Sequence, residues 1–124
     1  MSTYSLDIKN EKPRFSSYTT NASGLTPEID LQGGTLDGVL LEGDITSTTF
    51  TILVSRVSGG TFVTAKDGLG TYGTAGSAIT YTVGATATGY FPIAPYLTAG
   101  FRFCKIQLGS SEAITLYTSK RNIQ

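Results

Sequence analysis

Turn-forming glycines cut this sequence into short segments. Between them, apolar positions alternate with threonine and serine. Thr49 to Val57 is the clearest case: Phe50, Ile52 and Val54 fall on one face, and Thr49, Thr51, Leu53 and Ser55 on the other. That two-residue period is the signature of a half-buried strand. Similar segments follow at roughly ten-residue spacing. They are Ile29–Leu31, Val39–Leu41, Thr61–Ala65, Ile79–Val83, Tyr90–Ile93, Phe101–Leu108 and Ala113–Ser119. Gly33-Gly34, Gly59-Gly60 and Gly109-Ser110-Ser111 separate them, and Gly59-Gly60 reads as a two-residue hairpin turn. Seven or eight short strands at this spacing predict an all-β fold, an antiparallel β-sandwich or barrel. Phe50, Ile52, Val54, Ile79, Val83, Ile106, Ile114 and Leu116 are the expected core. One strand resists a simple assignment, because Phe101 and Phe103 have the opposite parity to Cys104, Ile106 and Leu108. Either both faces are covered there or a bulge switches the register.

The chain of 124 residues fits one domain. Its single cysteine excludes an internal disulfide, so packing alone must hold the fold. It has no histidine, which removes the commonest general base and transition-metal ligand. Lysine plus arginine balance aspartate plus glutamate at nine each, leaving no electrostatic footprint for nucleic acid. No apolar stretch approaches the ~20 residues of a membrane helix. Met1 to Asn10 lacks the basic start and apolar run of a secretory signal, so synthesis in a cytoplasm is expected. Charged residues make up only 15% of the chain, against about 25% in typical soluble domains. Threonine, serine, asparagine and glycine supply the polar surface instead, and part of that surface is expected to be covered by a partner.

Residues 1–27 read differently from the sandwich expected over 28–124. Lys9, Glu11, Lys12, Arg14 and two prolines surround isolated apolar residues, with no persistent period. One reading is a frayed terminus. The other is an extended arm that orders on a neighbouring subunit, anchored by Tyr4, Leu6, Ile8, Phe15 and Tyr18.

Residues that carry chemistry elsewhere have ordinary explanations here. Asp67-Gly68-Leu69-Gly70 lacks the ligand spacing of a calcium loop and the helix of a dinucleotide site, so it reads as a turn. Asp30, Asp37, Glu42 and Asp44 lie close together, but at strand ends and turns. Cys104, inside an apolar strand, reads as a buried structural thiol. Asn21-Ala22-Ser23 matches a glycosylation acceptor, by chance in the absence of a signal peptide. No catalytic, metal-binding or cofactor-binding residue is expected, and no cofactor. Tyr72, Tyr90 and Tyr96 are candidates for a sugar-stacking platform, with core or subunit packing as the alternative. Tyr72 and Tyr90 are the pair that tests this reading.

The order of segments from Leu36 to Arg121 resembles small virion proteins of tailed bacteriophages. GVLLEG precedes TTFTILVSRVSGG, then come AKDGLGTYG and YFPIAPYLTAG, and FRFCKIQLGSS leads to a closing AITLY strand. The resemblance implies a jelly-roll-like sandwich with a preceding arm and no enzymatic activity. It implies a capsid decoration, or cement, protein on the virion surface, binding the major capsid protein as a homodimer or homotrimer, with no nucleic-acid or membrane partner. Its alternative is a glycan- or receptor-binding module on a tail, fibre or collar. It supplies no catalytic or ligand-binding residues.

Overall fold

The computed structural model describes residues 15–43, 45–67, 76–83 and 89–121. Among them run nine strands: β1 (Phe15–Thr19), β2 (Ile29–Asp30), β3 (Thr35–Leu41), β4 (Thr49–Ser55), β5 (Val63–Thr64), β6 (Thr80–Thr82), β7 (Gly89–Pro92), β8 (Phe103–Leu108) and β9 (Thr115–Arg121). A single 3-10 turn, Pro95–Leu97, joins β7 toward β8. All strand pairs are antiparallel. One sheet has the order β1-β9-β3-β7, and the other β2-β8-β4-β5, with β6 also on β4.

The strands β5 and β6 share one edge of β4. β6 pairs with Thr49–Thr51 and β5 with Leu53 and Val54. They form one edge strand interrupted by an excursion over 66–78. The base of that excursion is closed by the Lys66–Ala78 bridge and by the Asp67 N–H, which donates to Ser77 O at 2.8 Å. With β5 and β6 counted as one strand, every connection except the β4–β5 hairpin crosses between sheets. That is the strand order of a jelly roll, and the expected antiparallel β-sandwich is the fold.

Alternation builds the core. Phe50, Ile52 and Val54 of β4 and Cys104, Ile106 and Leu108 of β8 turn inward against Leu36, Val39, Leu41 and Leu116 of the other sheet. Of the remaining expected core residues, Val83 is buried, while Ile79 and Ile114 pack at the margin, partly exposed. A bulge between Leu36 and Gly38 shifts the β3–β9 register. It explains why Leu36 and Val39, an odd number of residues apart, are both buried. The Phe50 ring stacks on Tyr81 (centroids 5.0 Å, 13° between planes) and meets Phe91 edge-on across the sandwich (5.6 Å, 78°).

Several expectations change. The parity conflict at Phe101 has neither of its two expected causes. The strand starts at Phe103, and Phe101 packs on the core from the preceding turn, where Gly100 takes φ 88°. Phe103 lies on the outer face, with the Arg102 guanidinium 5.4 Å from its ring centre. The β4–β5 connection is longer than a two-residue hairpin. β4 stops at Ser55, whose Oγ donates to Val57 O at 2.9 Å, and the chain turns over 56–62. The boundary of the expected 1–27 arm also moves. From Phe15 onward the chain belongs to the sandwich, since β1 pairs with β9 along its whole length. Residues 20–26 are then tied down. The Thr20 hydroxyl donates to Glu112 O, and the Thr26 hydroxyl accepts from the Ile106 N–H.

Three carboxylates bind the loops together. Glu112 accepts from the N–H groups of Thr46 (2.9 Å) and Ser47 (2.8 Å) and from both their hydroxyls, joining the β3–β4 connection to the β8–β9 turn. Glu28 accepts from Ser58 Oγ (2.6 Å) and the Gly59 N–H (2.8 Å). Asp30 forms a two-pronged ion pair with Arg102 (2.8 and 3.0 Å). Burial pushes the Glu112 carboxyl up, but the four donors outweigh it and hold it below its ordinary value. The Ser58 hydroxyl and Gly59 N–H lower Glu28, and the Arg102 guanidinium lowers Asp30. A carboxylate lowered on folding stabilises the fold above its unfolded pKa, about 4 for Asp and Glu. That contribution is lost as pH falls through the lower folded value. The melting temperature should therefore stay flat from about pH 8 to 5 and fall below about pH 4.5. Glu112→Gln should lower it at neutral pH and make the acid decline shallower, as read by circular dichroism melts.

Candidate functional site

The outer face of the β1-β9-β3-β7 sheet carries exposed aromatic and hydroxyl side chains. Ladder register aligns two rows across it. One runs Phe15, Ser119, Gly38 and Pro92; the next runs Ser17, Tyr117, Leu40 and Tyr90. Neither row holds a charged side chain. Among the described residues, an ion pair between Arg121 and Asp37, at 2.7 Å, flanks one end of these rows.

Tyr90 ties the rows together. Its ring leans from its own row over Gly38, and its hydroxyl lies 3.3 Å from Ser119 Oγ. A Cβ on Gly38 would stand 2.0 Å from that hydroxyl, so the ring can lie there only because residue 38 has no side chain. The far side of the ring meets Phe15 edge to face, with centroids 6.2 Å apart and planes at 85°. The two aromatic rings thus reach across the sheet from β7 to β1, and each remains 44% exposed.

Phe15, expected on an arm, and Tyr90, expected on a sugar platform, come together in one patch. Tyr18, also expected as an arm anchor, points the other way. It packs half-buried against the core, and burial pushes its phenol up. Tyr4, Leu6, Ile8 and Tyr72 lie outside the described residues. The contributions of Tyr117, Leu40 and Gly38 were not foreseen. The alternation of Leu40 with Val39 and Leu41 was hidden in an all-apolar run, and only the register puts Tyr117 beside it.

A second feature is a cavity of about 590 Å³ beside the interrupted β5–β6 edge. Val54, Val63, Ile79, Leu97 and Phe101 line it, Lys66 and Asp67 add polar groups, and Tyr96, 76% exposed, stands at its rim. Tyr96 therefore does not share a platform with Tyr90, which belongs to the sheet's outer face.

Other chemistry-bearing residues are engaged structurally. Cys104 is fully buried, and its thiol is pushed up to about 12 by burial, with Lys120 opposing weakly. Asn21 Oδ1 accepts from the N–H groups of Ser23 (2.9 Å) and Leu25 (3.1 Å), a turn role. Asp30 and Asp37 are each paired with an arginine. Among the described residues no three His, Cys, Asp or Glu side chains are grouped to hold a metal ion. No protein-family model, curated protein or solved structure matches this chain.

Gly38→Ala tests how the patch is built. The clashing atoms are the far end of an exposed side chain, so stability should change by no more than about 1 kcal/mol. The Tyr90 ring should leave the sheet, abolishing the nuclear Overhauser contacts between the Phe15 and Tyr90 rings.

Proposed function

We propose that this chain is a non-enzymatic structural protein of a bacteriophage virion, a capsid decoration protein that binds the major capsid protein and stabilises the head. The observation that carries the reading is the uncharged Phe15–Tyr90 patch on the outer face of the β1-β9-β3-β7 sheet. A contiguous exposed apolar surface marks an interaction site. Aromatic rings set among small hydroxyl residues fit the core of a protein–protein contact, where charged groups are depleted. The patch includes Phe15, one of the residues expected to anchor on a neighbouring subunit. The resemblance of the segment order to phage virion proteins supports the same reading. Binding to the folded capsid lattice but not to its unfolded subunits would stabilise the shell by mass action.

The test is decoration of capsids assembled from the co-expressed major capsid protein. Variants are a chain starting at Phe15 and the double substitution Phe15→Ser with Tyr90→Ser. The truncation must not extend to Thr26, because that would delete β1 and uncover Leu116. Both variants should keep the wild-type circular dichroism spectrum. The double variant should lose at least about 2 kcal/mol of binding, the scale of an aromatic hot spot. Wild-type occupancy by both variants would refute the reading.

A binding module for a glycan or receptor on a tail, fibre or collar is the second reading. It draws on the cavity with Tyr96 at its rim, because sugar sites pair an exposed ring with nearby polar groups such as Lys66 and Asp67. Here a glycan array should give hits that Tyr96→Ala removes; an array without hits counts against it.

A further inference from the structure

We infer that the exposed edge of β1 pairs with β1 of a second copy of this chain, joining two four-stranded sheets into one across a two-fold axis. The inference concerns self-association and stands without the virion reading.

Sheet edges are templates for pairing unless something blocks them. Three of the four edges here are blocked. β7 carries Pro92 and Gly89, β2 is two residues long and carries the Asp30–Arg102 ion pair, and the β5–β6 edge is broken by the 66–78 excursion. β1, Phe-Ser-Ser-Tyr-Thr, has five residues with no proline, no charge and no bulge. Among the described residues it pairs with β9 alone.

The hydrogen-bonding groups left over on β1 are self-complementary. The Thr20 N–H donates to Ile114 O, toward β9. Backbone direction alternates along a strand. Tyr18 and Ser16 therefore face β9 as well, and Phe15, Ser17 and Thr19 direct their N–H and C=O groups to the open side. In an antiparallel pair centred on Ser17, Ser17 meets its own copy and Phe15 meets the partner's Thr19, and vice versa. Each of these is a hydrogen-bonded pair, so all the outward groups of the strand are satisfied on both copies. Any other register leaves groups unmatched. The zero net charge of the chain adds no repulsion between copies. A two-fold contact of this kind closes on itself and yields a dimer, not a fibre.

The test is sedimentation velocity of the full chain over a micromolar-to-millimolar range, with Ser17→Pro and Ser17→Lys. The Ser17 N–H takes no part in the β1–β9 ladder, so proline there spares the fold. Wild type should show a concentration-dependent dimer. Both variants should raise its dissociation constant at least about tenfold, since proline removes the Ser17 N–H from the pairing and lysine sets two like charges directly opposite at the axis. Their circular dichroism spectra should match wild type. Ser17→Cys should form a disulfide-linked dimer under mild oxidation, since such a pair brings the Cα atoms to about 5.5 Å. A monomer at every concentration would overturn the proposal, as would a dimer indifferent to Ser17→Pro and Ser17→Lys. Slow amide exchange at Ser17 and Thr19 in a monomer would also overturn it, by showing that the chain covers this edge itself.

Discussion

The sandwich depends on the packing of Phe50. Its ring lies against Tyr81 within its own sheet and against Phe91 in the opposite one, so a single side chain sets both the position of the β5–β6 edge and the spacing of the sheets. The strand that carries it is equally central. β4 pairs with β8 on one side and with both β5 and β6 on the other. With no disulfide to restrain the unfolded chain, this buried apolar layer has to offset the conformational entropy lost on folding. The polar links act elsewhere. Glu112, Glu28 and Asp30 hold connections at the ends of the sandwich, where burial is thin. Lys120 reaches from β9 to the Asp30 carbonyl at 3.0 Å and bridges the two sheets directly.

Much of the architecture was legible in the sequence because it rests on a local signal. The period of two in Thr49–Ser55 and Cys104–Leu108 gives both the strand and its buried face without further information. What escaped depends on partners distant in sequence. Phe15–Thr19 alternates too weakly to be recognised as a strand, and it becomes one because β9 offers it a ladder. Tyr18 looked like its aromatic neighbours in a polar segment, yet pairing opposite Leu116 turns it toward the core. The all-apolar run Val39-Leu40-Leu41 has no visible alternation. Its outward residue is defined only by the strands on either side.

The two outer faces differ in the same way. The rows through Phe15 and Tyr90 hold no charged side chain, while the other outer face carries Lys105 near the Phe62 ring and Arg102 near Phe103. The proposed capsid contact and the proposed strand pairing use adjoining parts of one sheet, its face and its edge. Two-fold pairing would double the area of the patch without hiding it. It would also place the two Phe15 residues at opposite ends of the paired strands.

The interruption between β5 and β6 has a consequence of its own. The chain leaves the edge strand at Lys66 and returns at Ala78, and the bridge between these residues closes the base independently of what lies beyond it. Because the entropy of closing a loop rises only slowly with its length, this position is a natural port for added sequence. A peptide epitope or a small domain spliced there would ride on a finished sandwich, making the protein a carrier for cargo as well as a building element.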